Sequence, residues 1–161
     1  MSGIQAPDKE TMEACRLYVD NLIKPIHSLG KLEDIAVRLA GITGKIKPGK
    51  LNKAIVIMAG DTAVDGENKT GGKTSLTEVQ MVSRGLGTVS AVARTLGAPV
   101  YLIDVGLEQN TNDIEGVLTN KVVYGTHRGN PALDQDAVSA AISIGMSVAR
   151  TLAVQGIQEV G

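Results

Sequence analysis

The sequence predicts an α/β domain built on a parallel sheet and preceded by a small helical segment. Two apolar runs, at 54–61 and 99–106, lack the alternation of polar and apolar residues that marks a half-exposed strand. Such runs are typical of parallel strands buried on both faces. A long segment with helical spacing separates them, as a parallel crossover requires. We therefore predict one strand–helix–strand unit across this tract.

The first 49 residues are predicted to be a helical appendage. Asp8 is the predicted N-cap of a first helix, which ends before Pro25 because the residue preceding a proline disfavours the α conformation. A second helix begins near Lys31. Two helices bury too little surface to be stable alone. The predicted organisation is therefore an appendage at 1–49, with helices suited to dimer contacts, followed by an α/β domain at 50–161.

The elements of the α/β domain follow from its apolar spacing and its turn residues. In chain order, they are a strand at 54–59, a polar loop at 60–75, a helix at 76–96, a strand at 99–104, a polar loop at 107–116, a short strand within 117–124, a polar loop at 125–131, a helix at 135–154 and the start of a third strand at 156–161. Gly85 and Gly87 lie inside the first helical pattern, where they either allow close packing on the sheet or break the helix in two. Asp134 is the predicted N-cap of the last helix. The predicted core face of that helix carries Val138, Ala141, Ile142, Met146 and Ala149.

Composition argues against several classes of function. Sixteen basic and seventeen acidic residues leave no basic field for a nucleic-acid backbone, and three tyrosines are the only aromatic residues. Cys15 is the single cysteine, so no internal disulfide is possible. The two histidines lie far apart in the sequence and do not predict a metal site. The N-terminus lacks the apolar core of a signal peptide, and no apolar run approaches the roughly 18 residues of a membrane span. We expect a cytoplasmic protein without a cofactor.

Asp61 and Asp104 are the strongest candidate ligand-binding residues in the sequence. Each comes at the end of a predicted parallel strand and next to a glycine. Ligands of open α/β sheets bind at the carboxyl ends of the strands. Either these carboxylates line one ligand crevice, or they cap a loop or a helix.

Two further polar segments carry weaker signals. The stretch 71–74 reads Gly-Gly-Lys-Thr, but Gly66 stands five residues before Gly71 and six before Gly72, the glycine that precedes the lysine, so the spacing of a phosphate-binding loop fails by one residue. His127 and Arg128 provide donors in the loop at 125–131, where a solvated role is the simpler interpretation.

Four stretches in order resemble the nicotinate-nucleotide–dimethylbenzimidazole phosphoribosyltransferase family. Residues 23–41 are similar to its Lys-Pro-Pro-Gly-Ser-Leu-Gly-Arg-Leu-Glu segment and the helix after it. Residues 54–64 match the strand leading into Ala-Asp-His-Gly-Val, and 93–106 match a further strand. Residues 125–133 resemble its Gly-Thr…Gly-Pro-Ala-Met stretch. Order and spacing agree across nearly the whole chain, and the resemblance covers the family's N-terminal half.

The resemblance implies a Rossmann-like, three-layer fold with a small helical domain, usually in a homodimer. It implies transfer of phosphoribosyl from nicotinate mononucleotide to a benzimidazole-type base in cobalamin nucleotide-loop synthesis. The strand-end positions and this resemblance together give Asp61, Thr62, Glu78 and Asp104 as the predicted substrate-binding residues. No catalytic residue is assigned, because the family's glutamate base belongs to its other half.

The sequence departs from the family at two of these positions. The family's Asp-His-Gly reads Asp61-Thr62-Ala63 here, and its base-contacting Gln falls near Glu78. Three interpretations stay open: a fragment or subunit that pairs with a second-half polypeptide, a non-catalytic nucleotide- or azole-binding or regulatory relative, and an unrelated nucleotide-binding domain. We expect the chain to be inactive alone. Its open sheet edge also predicts a homo-oligomer, with the helix at 8–24 as a candidate contact.

Overall fold

The computed structural model describes residues 4–61, 75–107, 109–122 and 133–161. These residues fall into two compact units, Met1–Leu51 and Asn52–Gly161. The first unit is helical and the second contains a sheet. The predicted α/β class with a parallel sheet is confirmed.

The helical unit is a pair of packed helices, α1 (Lys9–Asp20) and α2 (Lys31–Thr43). As predicted, Asp8 caps α1, and its carboxylate accepts hydrogen bonds from the backbone N–H groups of Glu10 and Thr11 at 3.3 and 3.2 Å. The helix ends earlier than predicted, because the Asn21 side chain binds the Leu17 carbonyl oxygen at 2.8 Å and so caps the last turn. The core of the unit consists of Cys15, Val19, Val37 and Ala40, with Met12 packed against it.

Gly41 permits the close approach of the two helices. A Cβ atom at this position would lie 2.5 Å from Met12 Cγ and 3.1 Å from Pro7 Cβ, which is closer than van der Waals contact allows. The Asp8 backbone N–H donates to the Gly41 carbonyl oxygen at 2.9 Å across the same contact. A side chain at Gly41 would therefore push α1 away from α2.

The second unit is a four-stranded parallel sheet in the order β3-β2-β1-β4. Its elements in chain order are β1 (Lys53–Gly60), α3 (Ser75–Ser83), α4 (Gly87–Leu96), β2 (Val100–Gly106), β3 (Val117–Thr119), α5 (Gln135–Val154) and β4 (Glu159–Val160). The long crossover helix is two helices, and Gly85 and Gly87 have φ angles of +73° and +87° at the break. These angles favour glycine and end the α-helical path. Of the two roles predicted for this glycine pair, the structure therefore shows the break in the helix.

The two central strands are buried to different degrees. Leu102 and Ile103 of β2 are almost wholly buried, as predicted for a strand covered on both faces. By contrast, the prediction fails for β1, whose residues from Ile55 to Ile57 are only half-buried and whose Met58 is exposed. The described helices do not fully cover this part of the sheet.

Helix α5 departs most from its sequence prediction. Asp134 caps it as predicted, through a 2.7 Å hydrogen bond from the Ala137 N–H. However, Val138, Ile142 and Met146 of the predicted core face are exposed. By length and composition alone, α5 could cross a membrane, which corrects the expectation that no segment approaches a span. It also carries charged side chains at Asp136 and Arg150.

Candidate functional site

The carboxyl ends of β1 and β2 bring Asp61 and Asp104 to the same edge of the sheet. Ala59 pairs with Asp104 and Gly60 pairs with Gly106, so the register shifts by one residue in a bulge. Just beyond the bulge, the Asp61 N–H donates to the Gly106 carbonyl oxygen at 3.0 Å. Bulges at sheet ends redirect side chains and are common beside functional sites.

The Asp104 carboxylate is completely buried and is held by groups of the chain itself. Oδ1 accepts hydrogen bonds from the backbone N–H groups of Gly106 and Leu107 at 3.0 and 2.8 Å. Oδ2 accepts a hydrogen bond from Thr111 Oγ1, and Lys121 Nζ lies 3.3 Å away. Asp104 thus anchors the segment that follows β2. With both oxygens engaged, it is suited to positioning this edge rather than to acting as a base.

Lys121 and Thr111 connect that carboxylate to the rest of the edge. Lys121 Nζ donates to the carbonyl oxygens of Leu107, at 2.7 Å, and Gln109. Thr111 is also completely buried, and its hydroxyl lies 3.1 Å from the Thr119 hydroxyl of β3. These bonds fix the path of the chain between β2 and β3.

The pKa of Asp104 reflects two opposing effects. Burial disfavours the charged form, but the hydrogen bonds from Thr111, from the Leu107 and Gly106 N–H groups and from Lys121 outweigh it. The pKa of Asp104 therefore lies below its ordinary value, and the side chain is a carboxylate at neutral pH.

Among the described residues, the structure does not join the other predicted site residues to Asp104. Glu78 lies in the first turn of α3, where it is exposed, and α3 packs against β1. No hydrogen bond or ion pair joins Glu78 to Asp104 within the described ranges. Thr62, the Gly-Gly-Lys-Thr stretch at 71–74 and the pair at 127–128 lie outside the described residues.

Sequence reasoning missed Thr111, Thr119 and Lys121. Thr119 ends the short strand β3 and Lys121 follows two residues later. Because side chains alternate between the two faces of a strand, this spacing could have predicted that the two lie on the same face. Thr111 sits in a polar loop and gives no such signal. Gln109 adds an unpredicted feature, because its Oε1 atom is buried and has no hydrogen-bond partner among the described residues.

Comparisons with known proteins agree on one family. The family model described as "Phosphoribosyltransferase" matches residues 4–161. A nicotinate-nucleotide–dimethylbenzimidazole phosphoribosyltransferase from Alkaliphilus metalliredigens is 38% identical in an alignment of 162 positions, which covers 98% of this chain and 46% of that protein. A protein of the same name from Geobacter sulfurreducens is 33% identical, and the match covers 100% of this chain and 47% of the relative.

Solved structures show the same relationship. The crystal structure of a nicotinate-nucleotide–dimethylbenzimidazole phosphoribosyltransferase from Thermus thermophilus superposes with a TM-score of 0.83 at 31% identity. The superposition covers 95% of this chain and 48% of that one. The chain therefore spans about half the length of the relatives it matches, in sequence and in structure.

Proposed function

This chain belongs to the phosphoribosyltransferase family, and from that premise we propose that it provides one side of a transferase site. The reaction is the one named for its relatives, with nicotinate mononucleotide as phosphoribosyl donor and a benzimidazole-type base as acceptor. We propose that the sequence equivalent to the unmatched half of the relatives, in the same polypeptide or in a second one, provides the other side. This proposal rests on the alignment with the Alkaliphilus metalliredigens relative, which covers 98% of this chain but only 46% of that protein.

The chemistry assigns distinct roles to the two sides. The azole nitrogen attacks the anomeric carbon of the ribose, the bond to nicotinate breaks, and its electron pair leaves with the nicotinate ring nitrogen. A carboxylate accepts the proton of the attacking azole as general base. We assign that base to the complementary half, and we assign acceptor contacts to Asp61, Thr62 and Glu78. Asp104 is then a positioning residue that holds the edge on which Asp61 lies.

Uncovered apolar surface supports the pairing. Ile142 of α5 is 59% exposed, Val138 and Met146 are also exposed, and Met58 of β1 lies open. Val138, Ile142 and Met146 recur every four residues along α5, and an exposed apolar helix face of this kind marks contacts with other protein surfaces. We propose that a complementary polypeptide or a second copy covers it, and that the protein is cytoplasmic, with α5 packed against protein rather than lipid.

Reconstitution tests the pairing directly. The purified chain is mixed with nicotinate mononucleotide and 5,6-dimethylbenzimidazole, alone or with the half of the Alkaliphilus metalliredigens relative that this chain does not match. We expect α-ribazole phosphate only from the mixture of two polypeptides. The relative cut into its two halves is the matched control. Turnover by this chain alone, or no turnover when the control pair is active, would contradict the proposal.

A second candidate is azole binding without catalysis, which the acidic residue at position 78 favours. A carboxylate there accepts a charged hydrogen bond from an azole N–H, whereas the family has an amide. If Glu78 contacts the base, Glu78→Gln weakens dimethylbenzimidazole binding about tenfold, measured by calorimetry. Glu115→Gln, on an exposed part of the segment before β3, is the control. Equal affinities for both variants would show that the negative charge of Glu78 contributes nothing to binding of the base.

A further inference from the structure

The turn between α1 and α2 gathers three groups that commonly bind metal ions. One ligand atom each from Asp20, His27 and Glu33 lies within 4.8 Å of the other two. Asp20 ends α1, Glu33 lies in the first turn of α2, and His27 lies between the helices. The cluster lies wholly within the helical unit.

The Glu33 carboxylate is buried and held in a fixed orientation. Its side chain is only 9% exposed, and Oε1 accepts hydrogen bonds from Lys24 Nζ at 2.8 Å and from the Leu29 N–H at 3.1 Å. Lys24 lowers the pKa of Glu33 against the opposing effect of burial, so the group is ionised. Hydrogen bonds of this kind orient the carboxylates that bind metals.

The second oxygen of Glu33 faces an imidazole nitrogen. Oε2 lies 3.5 Å from His27 Nδ1. With a proton on Nδ1 the imidazole donates a hydrogen bond to Oε2, and with Nδ1 unprotonated both atoms offer lone pairs that a cation between them can accept. Zn²⁺ bound tetrahedrally at about 2.0–2.1 Å from nitrogen and oxygen ligands would separate two ligands by roughly 3.3 Å. The observed separation is close to that value.

Asp20 adds a buried carboxylate oxygen to the cluster. Its Oδ1 atom is buried and makes no hydrogen bond with the described residues. Asp20, His27 and Glu33 line one cavity of about 190 Å³. Asp20 is also the last residue of α1, where the partial negative charge of the helix end further disfavours a carboxylate. A cation in the cavity would offset both costs.

His27 distinguishes this chain from the family segment that it resembles. It stands where that segment has glycine, and its backbone has a φ angle of +61°. Glycine adopts this conformation without steric cost, whereas most other residues do not. Replacing His27 with glycine therefore removes the imidazole and leaves the turn in a conformation that the new residue accepts.

We propose that Asp20, His27 and Glu33 form a binding site for a first-row divalent cation of the Zn²⁺ type, which ties the end of α1 to the start of α2. An imidazole together with two carboxylates suits such ions better than Mg²⁺, which prefers oxygen ligands alone. All three ligands belong to the helical unit, and none of them is among the residues assigned to the transferase site. Since the core of that unit is small, a metal crosslink would stabilise it.

The test uses the whole chain after removal of metal with a chelator. We expect Zn²⁺ to bind with one-to-one stoichiometry in calorimetry and to raise the melting temperature measured by circular dichroism. His27→Gly and Asp20→Asn should each weaken Zn²⁺ binding more than tenfold and abolish the rise in melting temperature. Mg²⁺ at the same concentration should produce neither effect.

Two control variants keep the test specific. Asp34→Asn removes a carboxylate that lines the same cavity outside the cluster, and His127→Asn removes the other histidine of the sequence. Both should bind Zn²⁺ as the parent chain does. The proposal is overturned if the parent chain shows no saturable Zn²⁺ binding, if His27→Gly binds as tightly as the parent, or if His127→Asn abolishes binding. Equal binding of Mg²⁺ would likewise exclude a site built on the imidazole.

Discussion

Asp104 and Glu33 are two buried carboxylates, one in each unit, with similar surroundings and different consequences. Each is held by a lysine ammonium and by backbone N–H donors, two at Asp104 and one at Glu33, and each has a pKa below its ordinary value. At Asp104 both oxygens accept hydrogen bonds of 3.0 Å or less. At Glu33 one oxygen has the same kind of support, and the other has only a histidine at 3.5 Å.

The difference separates an anchor from a potential ligand. A carboxylate with both oxygens satisfied gains nothing by binding an additional group, and removing it leaves several buried donors without an acceptor. A carboxylate with one under-used oxygen can accept a proton or a cation. Burial and a lowered pKa are common to both groups, so neither property alone identifies a functional carboxylate.

Replacing the anchor should have the largest effect on stability. Asp104→Asn places an amide among the N–H, hydroxyl and ammonium donors, so we expect the free energy of unfolding to fall by about 2–4 kcal/mol. Asp113→Asn is the control, since Asp113 is exposed in the segment that Asp104 anchors. Urea unfolding followed by circular dichroism measures both. Equal effects of the two substitutions would erase the distinction between anchor and surface carboxylate.

Acid should affect both carboxylates in the same direction. A pKa lowered in the folded state gives stability that is present above the unfolded-state pKa and is lost as pH falls through the folded-state value. We therefore expect the free energy of unfolding to decline as the pH falls below the ordinary pKa values, 3.8 for Asp104 and 4.5 for Glu33. The decline should be shallower in Asp104→Asn than in Asp113→Asn. Parallel curves would mean that the Asp104 pKa is unchanged by folding.

Removing one donor to the anchor should have a smaller effect. Thr111→Val keeps the shape of a completely buried side chain but loses the hydroxyl that donates to Asp104. We expect the free energy of unfolding to fall by about 1–2 kcal/mol. Thr119→Val, which removes the neighbouring hydroxyl on an exposed residue, should cost less. A larger loss of free energy of unfolding from Thr119→Val would mean that the hydroxyl on β3 contributes more to this network than Thr111 does.

The smallest effect on metal-free stability is expected at His27. Glycine removes the steric cost of the left-handed backbone conformation at position 27, but it raises the conformational entropy of the unfolded chain. Because these two effects oppose each other, His27→Gly should change the free energy of unfolding by at most about 1 kcal/mol. Thermal unfolding with chelator present measures this change. A loss of several kcal/mol would mean that the imidazole holds Glu33 without any metal.

Element types and the strand-end location of Asp61 and Asp104 could be read from the sequence because they depend on local patterns. Apolar runs indicated β1 and β2, and Asp134 marked the start of α5 with the expected cap geometry. A parallel sheet then brings its strand ends together, which placed the two aspartates at one edge. The assignments of Asp61, Thr62, Glu78 and Asp104 as substrate-binding residues all stay predictions.

The partners of each carboxylate could not be read in the same way. Whether Asp104 faces solvent or donors depends on how the segment between β2 and β3 folds back, and Thr111 carries no periodic signal. The absence of a metal site was predicted by counting histidines and cysteines, which overlooks a set of one histidine with two carboxylates. The exposed face of α5 was predicted to be core because periodicity shows which residues are apolar but not what covers them.

The pairing of β4 with β1 has a consequence for the order of folding. Asn52 and Gln158 are 106 residues apart and join these strands through hydrogen bonds in both directions. Closing that loop costs about 0.8 kcal/mol more chain entropy than closing the shorter loop between β1 and β2. We expect β1 and β2 to pair first and the two residues of β4 to dock last, as the highest contact-order step. Amide hydrogen exchange should then be fastest at Glu159 and Gly161 and slowest at Leu102 and Ile103.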